Sequence, residues 1–324
     1  MTRMSVRAIP LAALLVALAS PAWPQAWPTR TITITVPVAP GSQVDVFSRM
    51  IAPALSAKLG QNVVVENRPG GGQIIGTAAA AKAAPDGHSL FHGNLSSLII
   101  SPQIRSPLPY NTPKDFTAIA LTMSGPSVLV VDPKLPIKTP AELIAYAKAN
   151  PGKLNYGSHG MGSFTHVTTE MLKGITGIDM VHIPYAGGGA LIGGFLSGQV
   201  QVVIFDLVSV RAHEQAGKAR VIATVGDQRS PHYPQMAMLS ETLHPLLRGD
   251  FWLGMVAPAG TPPAIVARLN TEINAIVNTP EFRAKGESFS MYPQKLSPKE
   301  FADKLAREWD SWGKVIRDRK IAVR

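Results

Sequence analysis

Residues 31–38 read Thr-Ile-Thr-Ile-Thr-Val-Pro-Val, a period of two expected of a strand with one buried face. The chain then turns through Ala39-Pro40-Gly41-Ser42-Gln43, after which Val44, Phe47, Ile51 and Leu55 recur at spacings of three and four. That spacing predicts an amphipathic helix, and Pro53 inside it predicts a kink or an early end. A β-branched run over 63–66, the loop Asn67-Arg68-Pro69-Gly70-Gly71-Gly72, an alanine-rich helix and Pro85-Asp86-Gly87 lead into a further strand. Such strand, turn and helix alternation predicts an α/β fold with a parallel, helix-covered sheet. Ligands of open α/β sheets sit at the carboxyl ends of strands, where helix N-termini present free N–H groups.

The alternation continues downstream. Thr139-Pro140-Ala141-Glu142 has the pattern of a capping box with a first-turn proline, predicting a helix to about residue 150, closed by Pro151-Gly152. Strands are expected over 154–156, 180–183, 200–205 and 220–225, with helices over 164–176 and 188–196. A strand over 251–256 and a helix over 262–277, with Ile265, Leu269, Ile273 and Ile276 on one face, follow a polar stretch. Ser297-Pro298-Lys299-Glu300 repeats the capping-box pattern and opens a last helix through Trp309 and Trp312.

The order Pro40-Gly41 with Asp45, then 60–70 reading Gly-Gln-Asn-Val-Val-Val-Glu-Asn-Arg-Pro-Gly, then Pro85-Asp86-Gly87, resembles the substrate-binding proteins of tripartite tricarboxylate transporters, the Bug family. Tyr156-Gly157-Ser158, Gly162-Ser163 with His166 and Glu170, Ile183-Pro184-Tyr185, Trp252 and the run 257–262 agree with it, so the resemblance spreads over nearly the whole chain after residue 30. It implies a two-lobed periplasmic-binding-protein-like (Venus flytrap) fold with a ligand cleft between the lobes. One lobe would comprise 27–125 and 251–324, the other 126–250, with crossing strands near 124–130 and 251–256. It also implies a small organic carboxylate as ligand, membrane transporter subunits as partners, and no nucleic acid.

Composition narrows the setting. Residues 1–26 have the layout of a secretory signal peptide: basic Arg3 and Arg7, an apolar stretch over 9–19 and small residues toward Ala26. The apolar stretch is shorter than the roughly 20 residues that span a bilayer, so export to the periplasm is expected. The chain has no cysteine among 324 residues, which excludes disulfides, thiolate catalysis and cysteine metal sites. The net charge of +10 falls to +8 without the two leader arginines. Its basic residues are interleaved with acids, as in Lys299-Glu300 and Arg307-Glu308, and aromatics are only 6%, a solvated surface and no nucleic-acid footprint.

The candidate site gathers four polar, glycine-bearing turns at strand-to-helix junctions: 40–43, 157–163, 185–189 and the turn at Asp206. Glycine lets main-chain N–H groups approach a ligand, and hydroxyls add donors. The resemblance implies that carboxylates are held largely by such groups and by bridging waters from both lobes. The first lobe would contribute Gly41, Ser42 and Gln43, and the second Ser158, Gly162, Ser163, Thr165, Tyr185, Gly187 and Asp206. Ser42 stands where the family commonly has a second glycine, which leaves the identity of the acid open. Asp206 is expected to cap a helix or bridge a water, because Asp is a preferred N-cap. Tyr185 is either a pocket wall or a ring packed on its own lobe.

Catalysis is not expected. Ser158, Ser163, His159 and His166 lie close together and invite a serine-hydrolase reading, but neither serine sits in a G-x-S-x-G elbow. His88 and His92 lie on a predicted strand without an HExxH motif or a nearby acid pair, so no metal is implied. The glycine-rich stretch 187–194 has Ile192 where G-x-G-x-x-G needs glycine, and no redox cofactor follows. A monomeric receptor is expected, and a membrane sensor kinase is an alternative partner that the residues do not separate from a permease.

Overall fold

A computed structural model describes residues 27–318 and 321, apart from 106, 228, 231 and 248. The leader expected over 1–26 lies outside the described residues. Eleven strands are present among the described residues: β1 (Ile32–Val36), β2 (Val63–Asn67), β3 (Ser89–Asn94), β4 (Phe116–Gly125), β5 (Ser127–Val131), β6 (Asn155–Ser158), β7 (Val181–Pro184), β8 (Val202–Asp206), β9 (Arg220–Val225), β10 (Phe251–Pro258) and β11 (Tyr292–Pro293). They form two sheets, β11-β4-β10-β3-β1-β2 and β7-β6-β8-β5-β9. The fold is the two-lobed α/β type expected of a periplasmic binding protein.

The strands 31–38 and 63–66 and the one after Pro85 pair in parallel, as their alternation with helices predicts. The remainder of the first sheet does not, because β10 inserts antiparallel between β3 and β4. The second sheet is mixed too: β6 runs parallel to β7 and β8, whereas β5 is antiparallel to β8 and β9.

The chain passes from the first sheet to the second at Gly125-Pro126-Ser127, where β4 ends and β5 begins. The return passage corrects the sequence expectation. It precedes Phe251, because β10 pairs with β4 along its whole length, from Phe251 opposite Gly125 to Pro258 opposite Phe116. Side-chain period cannot reveal such a partner, since it reports a face and not a neighbour.

The core lies on both faces of each sheet, divided by strand alternation along β8 and, along β4, by alternation shifted at two irregularities in its register with β10. Along β4, Ile119 and Met123 join a layer with Phe47, Ile51 and Leu269, while Ala118 and Leu121 face Phe91, Trp252 and Phe301. Along β8, Val203 and Phe205 pack with Leu191 and Val210, and Val202 and Ile204 face Tyr156 and Val167. The helix Gln43–Leu59 runs through Pro53 instead of ending there. Its fully buried Phe47, Ile51 and Leu55 bracket the proline, so burial offsets the lost hydrogen bond. Both predicted capping boxes form. Glu142 N donates to Thr139 Oγ1 at 3.2 Å and Thr139 N to Glu142 Oε2 at 3.2 Å, and Ser297 and Glu300 exchange the same pair of bonds.

Candidate functional site

A cavity of about 840 Å³ lies between the two sheets, walled by turns and helix starts from both. On the first-sheet side, Ser42 caps the helix Gln43–Leu59 and accepts from Asp45 N at 3.4 Å. Gly41 has φ +83, a left-handed conformation natural to glycine, and donates its N–H to Asp45 Oδ2 at 2.8 Å. Asp45 also accepts from Arg49 Nε and Asn67 Nδ2. Burial pushes its carboxyl up, but the hydrogen bonds from Arg49, Gly41 and Asn67 and the Arg49 charge hold it below the usual range. The buried aspartate thereby locks the turn.

On the second-sheet side, Ser163 caps the helix Phe164–Thr176, accepting from His166 N at 3.3 Å and donating to Gly160 O at 2.8 Å. Thr165 Oγ1 accepts from His159 N at 3.1 Å, so the loop folds back onto its helix. Burial pushes His159 down to about 4, and it is neutral at physiological pH. Gly187, at φ +110, starts the helix Gly188–Leu196 without a side-chain cap and without an acid in the first turn. A Cβ at Gly187 or Gly189 would meet nothing within 4 Å, so both face open space at that helix start. Asp206 caps the helix Leu207–Gln215 as expected, with Oδ1 accepting from Ser209 N and Oδ2 from Ser209 Oγ, both at 2.9 Å. Burial raises its carboxyl above the usual value despite those bonds.

Eight of the ten expected residues line this cavity: Gly41, Ser42, Gln43, Gly162, Ser163, Thr165, Gly187 and Asp206. Ser158 and Tyr185 do not. Ser158 is fully buried and bonds His182 Nε2 at 2.7 Å and Gly160. Tyr185 donates its hydroxyl to Gln199 Oε1 at 3.2 Å and lies over Gly194, where a Cβ would come within 2.2 Å of the phenol oxygen. Its ring packs on its own lobe, the second of the two roles open to it in the sequence.

Other wall residues escaped the sequence. Pro69, Gly70, Gly72 and Gln73 come from the loop after β2, whose glycine run was the available signal. Gln73 holds a left-handed φ of +78, and its Oε1 is buried without a hydrogen-bond partner. Phe251 and Phe289 are half-buried walls from distant segments, with no local signal to announce them. The Phe205 ring lies tilted against His159, with centroids 5.0 Å apart.

The serine-histidine geometry does not build a nucleophile at the cavity. The Ser163 hydroxyl is directed at Gly160 O, and His166 Nδ1 accepts from Gly162 N at 3.2 Å. Ser158 does touch an imidazole, that of His182, but is sealed from the cavity. His92 bonds Ser48 Oγ at 2.7 Å and Thr122 Oγ1 at 2.9 Å inside the core. Among the described residues no group of three or more His, Asp or Glu is arranged to hold a metal ion, and no helix is long and apolar enough to cross a membrane.

Comparison with known proteins adds to this geometry. The profile of the Tripartite tricarboxylate transporter family receptor matches residues 47–321. Protein BugT of Bordetella pertussis is 33% identical over 305 residues, covering 93% of each chain. A Cupriavidus necator protein described as a UPF0065 protein in the gbd 5' region is 35% identical, covering 88% of this chain and 86% of its own. An R. palustris structure with adipate superposes with a TM-score of 0.80 at 30% identity, covering 91% of this chain and 99% of that one. MatC of Rhodopseudomonas palustris, solved with bound malate, gives 0.78 at 28% identity, covering 90% and 100%.

Proposed function

The chain belongs to the tripartite tricarboxylate transporter receptor family, and from that premise we propose that it captures a small organic carboxylate in the cavity between its sheets and delivers it to membrane transporter subunits. The observation that carries this reading is the cavity itself. Helix N-termini at Ser42, Ser163 and Gly187 converge on it from both sheets, each with main-chain N–H groups that favour an anion. The ligands of the adipate and malate complexes among its structural relatives are of the same chemical class.

In this reading the lobes are 27–125 with 251–324, and 126–250, and the protein works in the periplasm as a monomer after losing residues 1–26. Gly41, Ser42 and Gln43 meet the ligand from one lobe, and Gly162, Ser163, Thr165, Gly187 and Asp206 from the other. Closure is favoured to the extent that the ligand contacts both lobes better when they are together. No chemical step is performed on the ligand.

Thermal unfolding against a panel of mono-, di- and tricarboxylates, followed by recovery of the ligand, tests this. A ligand at 100 times its Kd stabilises by about 2.7 kcal/mol, so a binder raises the midpoint and is recovered unchanged. No shift with any acid, or a chemically altered ligand, sinks the reading.

A further inference from the structure

The wall of the cavity is apolar beyond what capture of a carboxylate requires. Phe251 and Phe289 reach it from the first-sheet side, and Met161, Ile192 and Phe205 from the second, with Phe164 between them. Met161 stays 41% exposed, an apolar side chain held in the open beside the cleft. Phe164 stands 5.9 Å from Phe251, ring centroid to centroid, so aromatic surface from the two sides is continuous.

Charge points the same way. Among the described residues no lysine or arginine lines the cavity, and the ionisable lining residues are His159 and the acid Asp206. The Arg105 guanidinium abuts Gly72 without itself lining the cavity. The polar side chains of the wall are largely committed to their own backbone. Ser101 donates to Gly72 O, Asn94 Oδ1 accepts from Ser97 N, and Ser163 and Thr165 are bound within their loop. Of the three helix starts at the cavity, those at Ser42 and Ser163 are capped by their own side chains and Phe164 N is already bound by Ser96 Oγ, so the uncapped start of the helix Gly188–Leu196 is the one left open to a carboxylate. A second ionised group would lie among phenyl rings, or beside Asp206, with no countercharge, an arrangement that costs far more than it returns.

We propose that the ligand of this cavity is a monocarboxylate with an apolar, ring-sized body, seated with its carboxylate at Gly187–Gly189 and its body against Phe205, Phe251 and Phe289. This rests on the reading that the cavity holds an organic carboxylate, and it departs from the dicarboxylates of the two solved relatives. Rings supply the large buried area, and offset contacts between aromatic faces add to it. Asp206 sets the rejection of a second negative charge.

Calorimetric titration of the purified protein with phenylacetate, adipate, malate and citrate at neutral pH distinguishes the outcomes. Phenylacetate is expected to bind at least about tenfold more tightly than adipate or malate, a difference of about 1.4 kcal/mol. Asp206→Asn, which keeps an N-cap residue, is expected to narrow that ratio by strengthening adipate. Adipate or malate binding more tightly than phenylacetate overturns the proposal and leaves the receptor reading standing. An unchanged ratio in Asp206→Asn overturns it as well, because charge rejection is then not the cause. Absence of binding by every acid in the panel overturns both.

Discussion

The Ser96 hydroxyl accepts the main-chain N–H of Phe164 at 3.1 Å, joining the helical segment Ser96–Ile100 that follows β3 to the first residue of a helix on the other sheet. Phe164 N is one of the four N–H groups that a helix start leaves unpaired, and here its partner comes from 68 residues away. Both residues line the cavity, so the link fixes the relative position of the two walls.

Ser96→Ala should therefore strand a buried N–H and cost about 1–3 kcal/mol, read as a lower unfolding midpoint. Because the link spans the walls, the variant should also have a larger radius of gyration by X-ray scattering without ligand. An unchanged midpoint and radius together would mean that the bond carries no load.

Local chemistry in the chain announced a good part of this arrangement. The helix starts at Ser42, Thr139, Ser163 and Asp206 follow from a capping side chain before an apolar period, and the glycine turns follow from the need for left-handed backbone. Phe289, Ser96 and β10 were not legible as parts of the site or of the sheet order, because each acquires its role from a neighbour distant in sequence. Gln73 was hidden for another reason: a non-glycine residue at φ +78 breaks the local rule, and the unpaired buried oxygen appears only once the walls are assembled.

Acid should weaken the fold well above the carboxylate range. Burial lowers His92 from 6.5 to about 3 and His159 and His182 from 6.5 to about 4, the last helped by His166. The unfolded chain binds more protons than the folded one in this window, so the stabilisation is fully present above pH 6.5 and is lost as pH falls toward 4. Urea midpoints at pH 7.5, 6 and 5 should decline in that order. A flat profile would contradict neutral, buried imidazoles.

The two serines of the second-sheet loop should separate. Ser163→Ala with Thr165→Ala is expected to reduce carboxylate affinity by about tenfold or more, because both side chains shape the cavity wall. Ser158→Ala should leave affinity within about twofold while costing on the order of 1 kcal/mol of stability, since its bond to His182 is internal. Titration and melting of the same two proteins check both halves.

Gly125→Ala probes the passage between the sheets. A Cβ there would come within 2.1 Å of Ser290 O, a backbone atom that cannot rotate away. The strain should cost about 1–3 kcal/mol, visible as a reduced denaturation midpoint at unchanged slope. Wild-type stability in this variant would mean that the backbone near Ser290 yields easily.

The position of β10 also sets a timetable for the chain. The second sheet draws on one unbroken stretch, from Ser127 to Val225, and has all its strands once that stretch exists. The first sheet must wait: β3 and β4 adjoin only through a strand that begins at Phe251, more than 120 residues after β4 has ended. Such distant pairing slows folding, so in a chain emerging from its N-terminus β1, β2 and β3 can pair with one another, but β4 cannot join them in one sheet until about three-quarters of the chain has appeared. If the chain is exported as proposed above, that delay leaves it time to cross the membrane before the first sheet closes.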